Sequence, residues 1–366
     1  MKTRGATGPV GRQALQIVER TASPSRVVGL AAFRSGEELA RLAEGCPGCA
    51  VHLCSIQEQR ASLLGFLADG EGYDMCLNAV VGAAGLPFSE AVLRSGRDLA
   101  LANKESLVLA GELLVELAAR SGSSILPVDS EHAAIQQCIA GRPRKEVRRL
   151  FLTASGGALR DLPLAELGAV TPAQALDHPN WDMGPRITVD SATMLNKALE
   201  VIEAQHLFGV AASSIEVLIH RQSVVHSMVE FVDGSVLSQM GPPDMAFPIH
   251  YALHGPGRHP SPLQGFDPAL YAELTFSEPD PARYPALRLG YLAAEIGGAA
   301  GAVLNAADEV AVDAFLAGRA AFSDITALCA DTLDALRHLP AASLAEVREA
   351  DRLAREHASS LCAART

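Results

Sequence analysis

The sequence lacks several features, and each absence argues against a class of protein. No apolar run is long enough to cross a bilayer and no signal peptide is recognisable, so we expect neither a membrane-spanning nor a secreted protein. The formal net charge of −12 argues against a broad nucleic-acid-binding surface. The seven cysteines show no disulfide-framework pattern, which indicates a reducing compartment, and we expect a cytoplasmic protein.

The composition is that of an ordinary globular protein. Hydrophobic residues make up 49% of the chain and charged residues 20%, which argues against a disordered chain. A length of 366 residues exceeds what one hydrophobic core usually serves. We therefore expect two or three domains.

A glycine-rich loop lies near the amino terminus. Gly5, Gly8 and Gly11 match the pattern G-x-x-G-x-x-G, and residues 12–18 follow with a helical pattern. Such a loop lets backbone N–H groups approach a pyrophosphate at the start of a helix. A buried strand should precede it, but residues 1–4 are too few and too polar for that strand. We expect that the first strand is missing, either because the native chain starts upstream, which we favour, or because the chain has lost a central strand.

The next elements predict a Rossmann-like domain. Residues 26–32 form an apolar strand where the second strand of a βαβ unit belongs, and buried strands follow at 75–82 and 98–102. Arg34 and Ser35 replace the acidic residue that usually selects NAD, and they suit the 2′-phosphate of NADP. A plain surface arginine is an equally good interpretation of Arg34 alone.

A cysteine motif occurs in the same region. Cys46 and Cys49 stand two residues apart, with His52 and Cys54 nearby. The pattern resembles a metal or redox motif, but thioredoxin-type chemistry needs the first cysteine at a helix start. We favour a plain loop between a helix and a strand.

Carboxylates gather in the middle of the chain. Asp129 and Glu131 follow a strand at 124–128 and precede a helical pattern at 133–139. In an extended segment both carboxylates point one way; as a helix start, Asp129 is an N-cap, and both interpretations can hold. With Glu200 they form an oxygen-only set that suits Mg²⁺ or Mn²⁺.

An anion site is predicted at a central helix. Residues 189–203 have apolar side chains at helical spacing, with Asp190 or Ser191 as the N-cap. Ser191 at the helix start, Asn196 and Lys197 would offer donors to an anion, and Glu200 would add a carboxylate one turn further along. The alternative is a solvated helix face with one salt bridge.

Two loops carry further candidates. Ser155 lies in a small, glycine-rich turn after a strand and either donates to an anion or belongs to a plain turn. The loop at 178–184 contains Trp181, the only tryptophan, and we interpret it as a lid; a staple onto the core is the alternative.

The second half predicts an α+β region and then helices. Strands are expected at 214–220, 224–232 and 235–240, the last two joined at Asp233-Gly234. The sheet should therefore be mainly antiparallel. A Pro- and Gly-rich linker follows. Amphipathic stretches that suggest a small helical bundle lie near 285–296, 305–317, 323–337 and 343–358.

Six segments together point to one family. They are Leu101–Val108, Pro127–His132, His178–Gly184, Val189–Lys197, His220–His226 and Gly241–Met245. In sequence and in order they resemble the 1-deoxy-D-xylulose 5-phosphate reductoisomerase family. The resemblance implies an NADPH-dependent and Mg²⁺- or Mn²⁺-dependent conversion of 1-deoxy-D-xylulose 5-phosphate to 2-C-methyl-D-erythritol 4-phosphate, in the non-mevalonate route to isoprenoids. It also implies a homodimer.

The resemblance divides the chain into domains. Residues 1–128 would bind NADPH, 129–254 would carry catalysis and dimerisation, 255–284 would be a linker, and 285–366 would form the helical domain. The expected fold class is α/β: a Rossmann-like domain, a central α+β domain and a helical bundle.

The resemblance also assigns site residues. The metal ligands would be Asp129, Glu131 and Glu200. The substrate phosphate would be held by Ser155, Ser191, Asn196 and Lys197. The sugar backbone would contact Lys104, Ser130 and His178 besides Glu131 and Glu200, and Lys104, Glu131 and His178 would be catalytic. NADPH would contact Thr7, Gly8, Pro9, Val10, Phe33, Arg34, Ser35, Asn103, Glu105 and Gly184. Trp181 and Met183 would lie on the flap over the substrate.

Three positions depart from the family pattern. Pro9 stands where serine is usual and offers no N–H to a phosphate, Arg221 replaces a proline, and Asp308 replaces an asparagine. Two other hypotheses remain open: another NADP-linked sugar-phosphate dehydrogenase, and a non-catalytic, degenerate homologue.

Overall fold

The computed structural model describes residues 2–21, 25–181, 183–255 and 257–365, with residues 2–4 as backbone only. The chain forms two compact units. The first comprises Met1–Ser106, Leu114–Ala140 and Asp244–Phe266; the second comprises Leu107–Leu113, Gly141–Pro243 and Asp267–Thr366. The last change of unit along the chain falls inside the predicted linker, whereas the other domain boundaries stay predictions. Among the described residues, no helix is long and apolar enough to cross a membrane.

The first unit is built on a six-stranded sheet in the order β3-β2-β1-β4-β5-β6, and every neighbouring pair is parallel. Its strands are β1 (Lys2–Arg4), β2 (Gly29–Ala32), β3 (Ala50–Leu53), β4 (Met75–Asn78), β5 (Asp98–Leu101) and β6 (Ile125–Pro127). Its helices are α1 (Pro9–Arg20), α2 (Gly36–Glu44), α3 (Gln57–Asp69), α4 (Leu86–Arg94), α5 (Lys104–Ser121, whose middle belongs to the second unit), α6 (Ser130–Ile139) and α10 (Ala246–His254). This strand order is that of a Rossmann fold, so the predicted fold class of the amino-terminal region is confirmed.

The expectation of a missing first strand is wrong. Lys2–Arg4 form β1, which pairs in parallel with β2 on one side and with β4 on the other. Strand pairing uses backbone N–H and C=O groups, which residues of any polarity carry, and both neighbours supply theirs. The lack of apolar residues was therefore no barrier to a short central strand.

The core of the first unit explains its strands. Leu30 of β2, Leu77 of β4 and Leu99 of β5 are buried, as expected for a parallel sheet that is covered on both faces. Ile17 of α1 and Ile249 of α10 pack in one apolar cluster with Leu77. Because all the strands are parallel, the loops that follow them leave from the same edge of the sheet.

The second unit contains a four-stranded sheet in the order β10-β9-β7-β8. The strands are β7 (Val147–Ala154), β8 (Ile215–Ile219), β9 (Val225–Phe231) and β10 (Val236–Met240). β9 is antiparallel to both β7 and β10, whereas β7 and β8 are parallel, so the prediction of a mainly antiparallel sheet is confirmed. The predicted Asp233-Gly234 turn joins β9 to β10, with Gly234 at φ +85°.

The helices of the second unit follow the predicted pattern with shifted ends. They are α7 (Pro172–Leu176), α8 (Pro185–Thr193), α9 (Leu195–Phe208), α11 (Ala286–Ile296), α12 (Ala300–Leu316), α13 (Phe322–Leu336) and α14 (Leu344–Arg365). The helices α11 to α14 confirm the predicted carboxyl-terminal bundle. The last part of the predicted linker packs against the sheet. Ser277 forms a β-bridge with Ile219 of β8, and Tyr284 Oη donates to Gly156 O over 2.9 Å.

The central helix is broken, which corrects the prediction. α8 ends and α9 begins at Met194, whose φ of +66° lies in the left-handed region. Asp190 and Ser191 therefore lie in the last turns of α8 and are not N-caps. The apolar spacing continues across the break and no Gly or Pro marks it, so no local pattern predicts it.

Candidate active site

The glycine loop approaches its neighbours too closely for side chains. A Cβ on Gly5 would lie 2.4 Å from Ala79 O, and one on Gly11 would lie 2.3 Å from Gly5 O. Gly8 is the N-cap of α1 and its N–H donates to Gly5 O over 2.9 Å. Pro9 is the first helical residue, a position that suits proline because its N–H would have no intrahelical partner. The predicted contacts Thr7–Val10 thus lie where the loop enters the helix.

An aromatic residue and an arginine follow β2. The Phe33 side chain is 59% exposed, and the Arg34 guanidinium carbon lies 5.1 Å from the centre of its ring. Ser35 is the N-cap of α2. An exposed aromatic ring and a guanidinium thus lie together at the carboxyl end of β2, which suits stacking on a base and binding of a phosphate.

The side chains of Asn103 and Glu105 form hydrogen bonds with the backbone of the loop after β4. The Asn103 amide donates to Val80 O over 2.6 Å and to Gly82 O over 2.9 Å. Glu105 Oε1 accepts from Gly82 N over 2.8 Å, and Glu105 Oε2 accepts from the Asn103 amide over 2.7 Å. These side chains shape the backbone at the edge of the sheet where the glycine loop also lies.

A lysine, a carboxylate and a histidine form a buried group at the start of α6. Lys104 Nζ lies 2.6 Å from Asp129 Oδ2, and His132 Nδ1 lies 3.0 Å from Asp129 Oδ1. Asp129 also accepts from Glu131 N over 3.2 Å, and Ser130 Oγ donates to Glu131 Oε2 over 2.5 Å. Asp129 is therefore the N-cap, and the extended interpretation of this segment is wrong because Ser130 already starts the helix.

His178 lies in a polar group of the second unit, and hydrogen bonds fix the tautomer of its ring. His178 Nδ1 accepts from the backbone N–H groups of Asn180 and Trp181, over 3.1 and 3.0 Å. This nitrogen therefore carries no proton, and His178 Nε2–H donates to Ser155 Oγ over 2.9 Å. Burial, and then the nearby charge of Arg160, lower the pKa of His178 to about 4. The ring is neutral at pH 7 and acts there as a hydrogen-bond donor.

The turn that contains Ser155 lies against Ser191. Gly157 has φ +73°, and a Cβ on it would lie 2.6 Å from Ser191 O. The Gly157 N–H donates to Ser155 Oγ over 3.1 Å. Ser155 Oγ thus receives two donors, which leaves its own hydroxyl hydrogen directed elsewhere. Two of the predicted phosphate-binding serines are brought close in this unit.

Lys197 and Glu200 form a buried ion pair on α9. Lys197 Nζ lies 2.6 Å from Glu200 Oε2, and the Asn196 amide donates to Glu200 Oε1 over 2.5 Å. Both Lys197 and Glu200 are buried, so the alternative of a solvated helix face is wrong. A salt bridge taken out of water costs desolvation, which favours a functional role for the pair over a purely stabilising one.

The flap residues lie between α7 and α8. The Trp181 ring is tilted by 60° against that of His226, with ring centres 6.4 Å apart. Burial lowers the pKa of His226 to about 4. Met183 is partly exposed, Gly184 is the N-cap of α8, and position 182 lies outside the described residues. Whether this segment acts as a lid stays a prediction.

Two arginines were missed in the sequence. Arg160 Nη1 donates to Ser155 O over 2.8 Å, which brings a cation beside the Ser155–His178 pair. Arg186 donates to Asn305 Oδ1 over 3.0 Å and to Asp308 Oδ2 over 2.8 Å. Arg160 lies three residues after the pair Gly156-Gly157, a local feature that could have indicated it. No local pattern indicates Arg186, because its partners lie more than a hundred residues away.

The strand order, the glycine loop and the charged loop after β2 define an α/β protein with a dinucleotide-binding type of sheet and a second sheet-and-helix unit. Three family profiles match in chain order. One described as 1-deoxy-D-xylulose 5-phosphate reductoisomerase matches residues 61–111, its C-terminal domain matches 125–208, and a DXP reductoisomerase C-terminal domain matches 240–357.

Relatives match along the whole chain. The 1-deoxy-D-xylulose 5-phosphate reductoisomerase of Anaeromyxobacter dehalogenans is 47% identical over 376 residues, which cover 99% of this chain and 96% of the relative. That of Xanthomonas euvesicatoria pv. vesicatoria is 46% identical over 96% of this chain and 94% of its own length. The chain therefore belongs to the 1-deoxy-D-xylulose 5-phosphate reductoisomerase family.

Solved structures agree with this assignment. The reductoisomerase from Zymomonas mobilis in complex with NADPH has a TM-score of 0.88 at 39% identity and covers 99% of this chain and 98% of its own. A DOX-P reductoisomerase with fosmidomycin and magnesium has a TM-score of 0.90 at 33% identity, covering 99% and 97%.

Proposed function

We propose that this protein converts 1-deoxy-D-xylulose 5-phosphate to 2-C-methyl-D-erythritol 4-phosphate with NADPH, a step of the non-mevalonate route to isoprenoid precursors. The observation that carries the proposal is the match to reductoisomerases along 99% of the chain. The polar groups around Asp129, His178 and Lys197 support it, because family motif residues are the ones that form them.

We assign the NADPH site to the carboxyl edge of the parallel sheet. The glycine loop would take the pyrophosphate at the start of α1, and Arg34 with Ser35 would take the 2′-phosphate. Similar structures contain NADPH, which supplies the hydride when bound. Pro9 removes one N–H donor from the loop, so the pyrophosphate would rely on its neighbours.

We assign the divalent ion to Asp129, Glu131 and Glu200. Their oxygens are the ligands that Mg²⁺ and Mn²⁺ prefer, and similar structures contain magnesium. Asp129 and Glu200 are each paired with a lysine, so a divalent ion at these ligands would lie close to two ammonium groups. When bound, the ion would polarise a substrate carbonyl and acidify an adjacent hydroxyl.

The remaining steps of binding and catalysis would be carried out by side chains of this protein. Lys104 would stabilise negative charge that develops on the sugar backbone, and Glu131, with Ser130 at its Oε2, would move a proton. His178 would donate from Nε2, since its ring stays neutral. Ser155, Ser191, Asn196 and Lys197 would hold the phosphate. Closing Trp181 over the site would exclude water.

We also infer a homodimer in the cytoplasm. Among the described residues, β10 pairs with a strand on one side only and exposes Val236, Leu237 and Met240, and natural proteins usually cover such an edge. A second copy of the chain would cover them. Analytical ultracentrifugation gives the test, and a monomer at micromolar concentration would contradict the inference.

The decisive assay combines the substrate, Mn²⁺ and NADPH, with NADH as the control. We expect oxidation of NADPH much faster than of NADH, and the branched methylerythritol phosphate as the product. An unbranched product would indicate another sugar-phosphate dehydrogenase. No turnover together with no Mn²⁺ affinity would indicate a degenerate homologue.

Metal titration tests the ligands separately. Asp129→Asn, Glu131→Gln and Glu200→Gln should each weaken Mn²⁺ binding at least about tenfold. Glu116→Gln, an exposed residue paired with Arg120, is the matched control and should bind as the parent does. Retention of both metal affinity and turnover in Glu131→Gln would refute the role of Glu131.

A further inference from the structure

Two cysteines of the first unit stand at the two ends of a tight turn. Cys49 N donates to Cys46 O over 3.1 Å, and Gly48 between them has φ +77°. Pro47 followed by this left-handed glycine is the pattern of a type II turn. The first and fourth Cα atoms of such a turn lie within about 7 Å, and disulfides span Cα distances of about 4.4–6.8 Å. The backbone therefore already holds the two cysteines at bridging distance.

Their side chains lie on the same side of the turn. Both cysteines pack against one apolar cluster that contains Val27, Leu30 and Leu39. Both are also partly exposed, so small molecules in solution reach them. The other five cysteines are Cys54, Cys76, Cys138, Cys329 and Cys362, and all five are buried.

We propose that Cys46 and Cys49 form a reversible dithiol–disulfide site, which small disulfides such as oxidised glutathione oxidise. One cysteine thiolate attacks a sulfur of oxidised glutathione, an S–S bond to the protein forms, and one glutathione leaves as a thiolate. The second cysteine thiolate then attacks the protein-bound sulfur, the intramolecular bond forms, and the second glutathione leaves. Two protein S–H bonds are lost, and the two protons and two electrons reduce the glutathione disulfide to two thiols.

The surroundings set the pH dependence of this exchange. Burial and then the neighbouring Cys49 raise the pKa of the Cys46 thiol. Burial also raises the pKa of the Cys49 thiol, and a hydrogen bond from its own backbone N–H partly offsets that rise. Because the thiolate is the nucleophile, exchange should accelerate as the pH rises from 7 to 9.

The position of the pair separates it from the proposed active site. The turn joins the end of α2 to the start of β3, whereas the candidate NADPH residues follow the carboxyl ends of the strands. The site is therefore a place of covalent modification that does not depend on the proposed reaction. We expect turnover in the oxidised protein to stay within about twofold of the reduced protein.

Peptide mass spectrometry tests the proposal on the full chain. The native protein is incubated with oxidised glutathione at pH 8, acid-quenched, alkylated and digested with trypsin. The peptide 42–60 contains Cys46, Cys49 and Cys54. It should appear two hydrogen atoms lighter and alkylated once, and dithiothreitol should restore three alkylations.

Single variants provide the control. Cys46→Ser and Cys49→Ser should each stop at a mixed disulfide with glutathione on the remaining thiol. Three outcomes would overturn the proposal in the parent protein: both thiols stay alkylatable, only mixed disulfides accumulate, or the bridge includes Cys54. Bound zinc that blocks alkylation would overturn it as well, since the pair would then be a metal site.

Discussion

The guanidinium of Arg186 lies 2.8 Å from Asp308 Oδ2, and this contact ties the first turn of α8 to α12. The same guanidinium lies 3.0 Å from Glu309 and 3.6 Å from Asp190. Arg355 shares Glu309 at 2.9 Å. Asp308 is fully buried, and it stands where the family usually has asparagine. The cluster thus carries one more carboxylate than the family pattern requires.

This excess charge predicts a pH-dependent stability. Burial raises the pKa of Asp308, so the folded state holds its proton more tightly than the unfolded chain does. The contribution of Asp308 to stability is therefore greatest below the unfolded pKa of about 4 and falls as the pH rises towards the folded pKa. Asp308→Asn should remove this fall and unfold at higher urea concentration than the parent at pH 7.5, by at least about 1 kcal/mol.

Trp181 is the only tryptophan and lies in the second unit, so its fluorescence reports the transition of that unit. Asp334→Asn, an exposed residue paired with Arg337, is the matched control and should change little. Equal dependence of unfolding on pH in Asp308→Asn and the parent would contradict the assignment.

The break at Met194 gives a second prediction. A left-handed conformation costs a non-glycine residue roughly 1–2 kcal/mol. Met194 is buried, so replacing it by alanine or glycine loses packing in both cases. Glycine relieves the backbone strain, and we expect Met194→Gly to be more stable than Met194→Ala by about 1 kcal/mol in urea unfolding.

The exposed helical site Asp313 serves as the reference for this comparison. There the order should reverse, with Asp313→Ala more stable than Asp313→Gly by about 1 kcal/mol. The strain at Met194 is disproved if alanine is the better residue at both sites.

Much of the fold could be predicted because its patterns are local. β5 was predicted to within one residue by its short apolar run, and Asp233-Gly234 marked the hairpin by turn chemistry alone. The strand order could not be read from any segment, since it depends on pairings between distant residues. β1 was missed because its stability comes from its two neighbours, and the break at Met194 was missed because long-range packing overrides helical spacing.

The candidate site was likewise predicted where its residues belong to local motifs and missed where they depend on distant partners. Residues such as Ser155 and Lys197 were found because they belong to recognisable motifs. The partners that set their chemical state were not: nothing in the sequence shows that two backbone N–H groups fix the tautomer of His178 or that Glu200 holds Lys197 in a buried pair. Arg186 lies in no motif and depends on a helix that begins more than a hundred residues later.

His178 provides the third prediction. Because its pKa is about 4, nitrogen NMR should show a neutral ring protonated at Nε2 throughout pH 5–8. His178→Gln keeps an amide donor near the position of Nε2, whereas His178→Asn places its amide near Nδ1. We expect the glutamine variant to keep KM within about tenfold of the parent and the asparagine variant to lose more.

A His178 titration with a midpoint near 6.5 would contradict the fixed tautomer. Equal KM values in the two variants would show that the contact with Ser155 does not matter for the substrate.

The lowered pKa of His178 also predicts lower stability in acid. The unfolded chain takes up the proton near pH 6.5 and the folded ring only near 4, so stability falls as the pH drops between these values.

Lys104 and the proposed metal ligand Asp129 give the last prediction. The lysine ammonium lies 2.6 Å from the carboxylate, so it neutralises the charge that a divalent cation would use. In the absence of substrate, Lys104→Gln should therefore bind Mn²⁺ about three- to tenfold more tightly, because one competing positive charge is gone. Turnover should nevertheless fall at least about a hundredfold, since the same ammonium is proposed to stabilise developing negative charge.

Isothermal titration measures the Mn²⁺ affinity, and NADPH oxidation measures the turnover. Lys145→Gln, an exposed lysine, is the matched control and should change neither. Weaker Mn²⁺ binding in Lys104→Gln would mean that the lysine supports the metal site and does not compete with the ion.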